Sequence, residues 1–84
     1  MPFIEIYSTA ICPYCTRAKM LLKNKGVQWK EIMIKSHEDM EAMMKRSNRR
    51  TVPQIFINNQ HIGGYDDLAA LNEAGNLDPL LKSQ

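Results

Sequence analysis

The sequence predicts an α/β fold in which a four-stranded mixed sheet is flanked by helices. Short β-branched and aromatic runs alternate along the chain with segments of helical periodicity, which indicates strands and helices in alternation. The first strand, helix and second strand follow in the order of a right-handed crossover, which makes the two strands parallel. The last two strands are joined by Asn58-Asn59, which can adopt the positive φ of a tight antiparallel hairpin.

The first half of the chain contains the predicted parallel pair. Residues 3–7 are mostly β-branched and aromatic and form the first strand. Apolar residues then recur at helical spacing from 13 to 25, and Gly26 stands where a left-handed residue would end the helix. Residues 27–34 are predicted to form the second strand. Glu5 lies within the first strand, and nothing in the sequence accounts for a carboxylate in a strand covered on both faces.

A second helix is predicted from Ser36, a favoured N-cap residue, because acidic residues follow it in the first turn. Met40, Met43 and Met44 fall on one face of this helix. Methionines at this spacing could bind a soft metal, but they far more often fill irregular gaps in a core. We therefore expect this face of the helix to belong to the core.

The second half of the chain continues with two strands and two helices. Residues 54–57 form a short apolar strand, and residues 60–62 return beside it as the antiparallel edge strand. A third helix is predicted to open at residues 65–67 and to end at Gly75. Asp78-Pro79 begins a short final helix.

Composition limits the class of protein. The 84 residues suffice for one compact domain over residues 1–84, and 44% apolar with 24% charged residues is typical of a globular protein. No apolar run approaches the roughly 20 residues of a membrane span, and the N-terminus lacks the basic and apolar segments of a signal peptide. A net charge of +2 is too small to indicate binding to nucleic acid or to a membrane. We therefore expect a cytoplasmic protein.

The only two cysteines of the chain occur in the stretch Cys12-Pro13-Tyr14-Cys15. Proline at the first helical position places Cys12 at the N-cap and Cys15 one turn later, so the two sulfurs share a face. The free amides and the positive dipole end of the helix favour a thiolate, and we expect them to lower the pKa of Cys12 below about 8.5. We interpret Cys12 as the nucleophile and the more shielded Cys15 as the resolving thiol.

Two other interpretations of the cysteine pair are weaker. A disulfide that closes so short a loop removes little entropy from the unfolded chain, so it is a poor stabilising device. A zinc site needs four ligands, and the chain has no second cysteine pair, only His37 and His61 far along the sequence. A C-x-x-C motif beside a βαβ pattern in a chain without a secretion signal is typical of a thioredoxin-like redox protein.

Three motifs occur in order along the chain: Cys12-Pro13-Tyr14-Cys15, Thr51-Val52-Pro53 and Gly63-Gly64-Tyr65-Asp66-Asp67. Together they resemble a small dithiol glutaredoxin of the bacterial glutaredoxin-3 kind, over nearly the whole chain. The resemblance implies one glutaredoxin domain with a thioredoxin-like fold. It also implies reduction of protein disulfides and glutathione mixed disulfides, with glutathione as co-substrate and no permanently bound cofactor. Glutathione reductase and NADPH would then regenerate the reduced glutathione.

The same resemblance implies where glutathione binds. In relatives the proline of the Thr51-Val52-Pro53 segment is cis, and the valine backbone pairs with the cysteinyl part of glutathione. Gly64 allows close approach of the backbone. The amides and the carboxylate around Tyr65 and Asp66 hold the γ-glutamyl end, and Asp66 is also a candidate N-cap of the third helix.

Two positions depart from the pattern of relatives. Many relatives carry a lysine three residues before the first cysteine, where this chain has Thr9, and an aspartate after the second strand, where it has Lys35. Arg49 or Arg50, just before Thr51, could instead bind the glycyl carboxylate of glutathione through two parallel hydrogen bonds. Cations at the end of a helix are also favoured by the helix dipole alone.

The role of Tyr14 and the function class have alternatives. Tyr14 either walls the groove beside Cys12 or only shields the disulfide. An electron carrier reduced by thioredoxin reductase is an alternative function, although it would not need the γ-glutamyl site at residues 63–67. An iron–sulfur carrier is a weaker alternative, because cluster-binding relatives usually have a smaller residue in place of Pro13. The expected partners are glutathione and glutathionylated or disulfide-containing proteins, and the expected state is a monomer.

Overall fold

The structure, a computed structural model, describes residues 2–82, which form one sheet and four helices. The strands are β1 (Ile4–Ser8), β2 (Lys30–Met33), β3 (Gln54–Ile57) and β4 (Gln60–Gly63), and the helices are α1 (Pro13–Asn24), α2 (His37–Ser47), α3 (Tyr65–Glu73) and α4 (Leu77–Lys82). The strand order is β2-β1-β3-β4. Because β1 is parallel to β2 and antiparallel to β3, and β3 is antiparallel to β4, the predicted mixed sheet is confirmed.

Helices cover both faces of the sheet, and β1 is buried along its whole length. On one face, Ile4 and Ile6 pack against α1, α3 and α4 in the larger apolar cluster. On the other face, Tyr7 and Phe56 pack against Met43 of α2. The split follows from the two-residue period of side chains along a strand, which sends neighbouring residues of β1 into different clusters.

The second helix has the predicted start and the predicted core face. The Oγ of Ser36 accepts a hydrogen bond of 3.1 Å from the amide of Asp39, so Ser36 is the N-cap. Met43 is fully buried and Met40 packs against the same cluster, which confirms these two as core residues, whereas Met44 is only partly buried and lines a cavity outside that cluster. Asn48, with φ +60°, follows the helix in the left-handed conformation.

The second strand begins later than the sequence predicted. Gly26 has φ +76° and ends α1 as expected. Its amide donates to the carbonyl of Lys23, and the amide of Val27 donates to the carbonyl of Leu22. This pair of bonds satisfies the last carbonyls of the helix. Because the amide of Val27 is used in closing α1, pairing with β1 starts only at Lys30.

Two further predicted turns are present. Asn58 and Asn59 have φ values of +51° and +67°, and they join β3 to β4 in the expected tight hairpin. Gly75 has φ +78° and follows the end of α3, and α4 begins at Leu77, one residue before the predicted Asp78. Within residues 2–82 no helix is long and apolar enough to cross a bilayer.

The buried carboxylate of Glu5 is explained by a partner on α2. Its Oε1 accepts a hydrogen bond of 2.6 Å from Nη2 of Arg46. The same guanidinium donates to the Tyr7 hydroxyl at 3.1 Å and lies 3.8 Å from the ring centroid of Phe56. The hydrogen bond that Arg46 donates to Glu5, followed by the one it donates to Tyr7, raises the pKa of Arg46 against the opposing effect of burial. The central strand therefore carries a paired charge that also ties α2 to the sheet.

Candidate active site

The two cysteines lie at the start of α1 and are joined as a disulfide, so the structure is that of the oxidised protein. Cys12 is the N-cap and Pro13 the first helical residue, as the sequence predicted. The amide of Cys15 donates to the Sγ of Cys12 over 3.1 Å. After reduction, this donor and the positive end of the helix favour a thiolate at Cys12 over a thiol.

Burial distinguishes the two sulfurs. Cys15 is almost completely buried, whereas Cys12 is only half-buried. An incoming disulfide can therefore reach Cys12 but not Cys15. The two Cα atoms are 5.2 Å apart, inside the range that a disulfide spans, so in a mixed disulfide Cys15 can attack the Sγ of Cys12 without a large movement of the chain.

The loop before β3 lies against the reactive sulfur. The Sγ of Cys12 is 3.9 Å from the carbonyl oxygen of Val52, and the Val52–Pro53 peptide bond is cis, as the resemblance implied. The side-chain amide of Gln54, which is fully buried, donates to the carbonyl of Thr51 at 3.0 Å. The loop is thus held from the sheet side while its other side faces the cysteines.

A histidine on β4 extends this support. The Nε2 of His61 lies 2.7 Å from the Oε1 of Gln54. Because the Nε2 of Gln54 already donates to Thr51, its Oε1 is the acceptor and His61 is the donor. Burial, followed by the charge of Arg49, lowers the pKa of His61. Sequence reasoning missed this chain of bonds; its one local signal is a glutamine within an apolar strand.

The start of α3 forms a second polar wall. Gly64 is the N-cap of the helix, and its amide donates to the Oδ2 of Asp67 at 2.9 Å. The same oxygen accepts a hydrogen bond of 2.8 Å from the Nη1 of Arg49. The bond from Arg49, followed by that from Gly64, holds the pKa of Asp67 below its ordinary value. Arg49 thereby joins the end of α2 to the start of α3.

The interpretation of Asp66 as an N-cap is wrong. The capping carboxylate is that of Asp67, because the third helical residue can reach back to the N-cap amide whereas Asp66 points outward from the first turn. Asp66 is exposed and has no hydrogen bond or ion pair among residues 2–82. Gly63 has φ +122°, and a Cβ there would overlap the Asp67 carboxylate, so this arrangement requires glycine.

The start of α1, the loop before β3 and the start of α3 line an open groove of about 310 Å³. It is lined by Tyr14, Arg49, Thr51, Val52, Pro53, Gly64, Tyr65, Asp66 and Asp67. The rings of Tyr14 and Tyr65 lie with their centroids 6.3 Å apart. The structure therefore brings together every residue predicted to bind glutathione except Arg50. It adds Asp67, which belongs to the Gly63–Asp67 motif but was not predicted to line the site.

The two arginines considered as replacements for the missing lysine are separated. Arg49 lines the groove, whereas Arg50 lines another cavity together with Met40 and Met44 of α2. Arg49 pairs with Asp67 of α3, the helix that also carries Asp66. Thr9, at the position of the lysine, donates its hydroxyl to the carbonyl of Ile11 at 3.4 Å and supplies no charge.

Sequence comparison identifies relatives that span almost the whole chain. The glutaredoxin family model matches residues 4–62. Glutaredoxin 3 of Escherichia coli strain K12 is 58% identical over 83 residues, which cover 98% of this chain and 100% of that protein.

The similar solved structures are glutaredoxins as well. A buckwheat glutaredoxin solved as a complex with glutathione has a TM-score of 0.85 and 32% identity, over 93% of this chain and 74% of that one. The solution structure of glutaredoxin from Brucella melitensis has a TM-score of 0.83 and 50% identity, over 94% of this chain and 87% of that one. The expected thioredoxin-like fold is therefore confirmed.

Proposed function

The chain belongs to the glutaredoxin family and is accordingly a glutathione-dependent thiol-disulfide oxidoreductase, and we propose that Cys12 and Cys15 carry its reaction. The observation that supports these roles is the hydrogen bond from the Cys15 amide to the Sγ of Cys12, made at an exposed helix end beside the groove. A buried second sulfur one helical turn away completes the arrangement.

With glutathione mixed disulfides, Cys12 alone completes the cycle. Its thiolate attacks the glutathione sulfur, which forms a Cys12–glutathione disulfide and releases the other thiol as a thiolate that takes up a proton. A second glutathione thiolate then attacks the glutathione sulfur of that disulfide. Oxidised glutathione leaves, and Cys12 returns as a thiolate. Overall, one glutathione thiol is oxidised for each mixed disulfide that is reduced, and the oxidised glutathione joins it to the glutathione that came from the mixed disulfide.

With protein disulfides, Cys15 takes part. Cys12 attacks one sulfur of the target and forms a mixed disulfide with it, which releases the partner sulfur as a thiolate. Cys15, as a thiolate, then attacks the sulfur of Cys12 and releases the target as a dithiol. The product is the Cys12–Cys15 disulfide, the state in which the protein is seen here. Two glutathione molecules reduce it, and glutathione reductase with NADPH restores them.

The groove is proposed to hold glutathione along its length. The backbone of Val52 would pair with the cysteinyl part, which brings the glutathione sulfur to Cys12. The free amides of α3 around Tyr65 would bind the γ-glutamyl carboxylate, and the exposed Asp66 would bind its ammonium. One Nη1 bond of Arg49 is used by Asp67, so its remaining donors are available to the peptide.

Residues 1–84 would act as a single domain and as a monomer, in the cytoplasm, on glutathionylated and disulfide-containing proteins. Support for this setting comes from the chemistry, because a dithiol must be re-reduced after every turnover and the cytosolic glutathione pool provides the electrons.

The test is an NADPH-coupled assay with the mixed disulfide of glutathione and 2-mercaptoethanol. Wild-type protein should turn over with glutathione and glutathione reductase, and should show no comparable rate with thioredoxin reductase alone. Cys12→Ser should lose all activity, whereas Cys15→Ser should keep this activity and lose reduction of protein disulfides. Equal loss in the two variants on the small mixed disulfide would overturn the assigned roles, and turnover only with thioredoxin reductase would overturn the proposed use of glutathione.

A further inference from the structure

Among residues 2–82, Ile11 is the most exposed large apolar side chain. It is 91% exposed and immediately precedes Cys12. The hydroxyl of Thr9 donates to its backbone carbonyl, which ties the loop from one side. Single exposed apolar residues are common on protein surfaces, so exposure alone does not indicate a function. Ile11, however, directly precedes the reactive Cys12, which makes its side chain a candidate contact for a substrate.

The geometry of a disulfide limits where a protein substrate can lie. When Cys12 forms a mixed disulfide, the Cα of the target cysteine comes to roughly 4.4–6.8 Å from the Cα of Cys12. Neighbouring Cα atoms along either chain are about 3.8 Å apart. The residues that flank the target cysteine therefore come within side-chain reach of Ile11 or of the groove beside Cys12.

Glutathione and a protein segment differ in what they cover. The groove proposed for glutathione is lined from Tyr14 to Asp67, and Ile11 is not among its lining residues. A glutathione molecule that fills the groove leaves Ile11 in water. A protein chain continues on both sides of its cysteine, so it has flanking residues beyond those that the groove can hold, and the exposed Ile11 is available to one of them.

We propose that Ile11 is a specificity residue for protein disulfides, which it favours when an apolar side chain flanks the attacked cysteine. The inference rests on the proposed function, because it concerns the substrate of the same cysteine pair. An apolar neighbour would bury part of the Ile11 side chain when the mixed disulfide forms, whereas a polar or charged neighbour would lose hydration there.

The test uses three substrates in the glutathione-coupled assay. Two are cyclic peptide disulfides that differ only in the residue beside one cysteine, leucine in one and serine in the other. The third is the mixed disulfide of glutathione and 2-mercaptoethanol. Each is assayed for kcat/KM with wild-type protein, with Ile11→Ser and Ile11→Leu, and with Met20→Ser as the control. Met20 is an apolar residue of α1 that is 52% exposed and lies eight positions beyond Cys12.

Wild-type protein should prefer the leucine peptide to the serine peptide. Ile11→Ser should lower kcat/KM for the leucine peptide roughly tenfold, the scale that partial burial of one isoleucine supports, and should remove the preference. Ile11→Leu should retain it, Met20→Ser should match wild type on all three substrates, and no variant should change the rate with the small mixed disulfide.

Several results would overturn the inference. One is an unchanged ratio between the two peptides in Ile11→Ser. Another is an equal loss on the small mixed disulfide, because Ile11 would then act on the reactive loop and not on the partner. A third is the same loss in Met20→Ser, which would indicate a general effect of surface polarity. Absence of glutathione-dependent turnover in wild-type protein, in contrast, would refute the proposed function itself and the inference with it.

Discussion

Arg46, in the last turn of α2, and Arg49, just beyond that helix, each pair with a carboxylate, but the two pairs lie in different surroundings. The side chain of Glu5, the partner of Arg46, is 10% exposed, whereas that of Asp67, the partner of Arg49, is 43% exposed. The first pair lies between α2 and the sheet, and the second lies at the edge of the groove. The same chemical pairing can therefore hold the fold in one place and remain available to a ligand in the other.

The two ion pairs differ because one carboxylate is removed from water and the other stays partly hydrated. A carboxylate removed from water depends on its partner, because an unpaired buried charge is strongly unfavourable. An exposed pair gains little over two hydrated ions, so exchanging one partner for a ligand carboxylate changes the free energy only slightly. A variant of the buried pair should therefore lower stability, whereas a variant of the exposed pair should weaken glutathione binding.

The largest effect is expected for Glu5→Ala. It leaves the guanidinium of Arg46 beside the core without its carboxylate, and we expect the free energy of unfolding to fall by about 2–3 kcal/mol. Urea denaturation monitored by circular dichroism measures the change. Activity per folded molecule should stay close to wild type, because the pair does not line the groove.

The matched control replaces both members of the buried pair. Glu5→Leu combined with Arg46→Met removes both charges while keeping apolar volume, and we expect it to recover most of the stability that Glu5→Ala loses. If Glu5→Ala costs less than about 0.5 kcal/mol, the pair behaves like a surface ion pair and the contrast with Arg49 disappears.

The next effect is expected for Arg49→Ala, in binding and not in stability. Loss of a partly exposed cation from the groove should weaken the apparent affinity for glutathione by up to about fivefold, equivalent to about 1 kcal/mol. The difference should narrow as salt is raised from about 10 mM to 1 M, because ions screen an exposed contact. The KM for glutathione, followed separately from kcat, is the measurement. An unchanged KM at low salt would remove Arg49 from the glutathione site.

The elements of the fold could be predicted because their signals are local. Gly26 and Ser36 end and begin helices through bonds to residues within five positions, so the sequence contains both partners side by side. Cys12 and Pro13 define the helix start in the same way. Predictions of this kind agree with the structure to within a few residues.

The features that could not be predicted depend on residues far apart in the chain. Glu5 and Arg46 are 41 positions apart, and their contact exists only because α2 packs on β1. The choice between Asp66 and Asp67 as the capping residue depends on where α3 begins, since a shift of one residue turns a carboxylate from the cap to solvent. Arg49 and Arg50 line different cavities because adjacent residues point to different sides, so which of them faces the groove also depends on the folded position of this loop.

A smaller effect is expected in the titration of Asp67. Its pKa lies below the ordinary value of 3.8, chiefly because of Arg49, so its contribution to stability is present above about pH 3.8 and is lost as the pH falls through the lower folded value. Arg49→Ala should raise the pKa toward 3.8 but not fully, because the amide of Gly64 still donates to the carboxylate. Carbon-detected NMR of the carboxyl group measures this. No shift in the variant would mean that the Arg49 contact is not maintained in solution.

The smallest effect is expected for Arg50→Ala, which distinguishes a contact in the groove from the general field of the protein. Arg50 carries the same charge as its neighbour Arg49 but lines a different cavity, so its removal changes the net charge equally without touching the groove. At about 0.15 M salt, where charges are screened beyond about 8 Å, the KM for glutathione should equal that of wild type while Arg49→Ala remains weaker. At about 10 mM salt the screening length grows to about 30 Å, and a slight weakening in Arg50→Ala is then expected from net charge alone. If the two variants weaken glutathione binding equally at both salt concentrations, the groove responds only to net charge, and the functional difference between Arg49 and its neighbour does not exist.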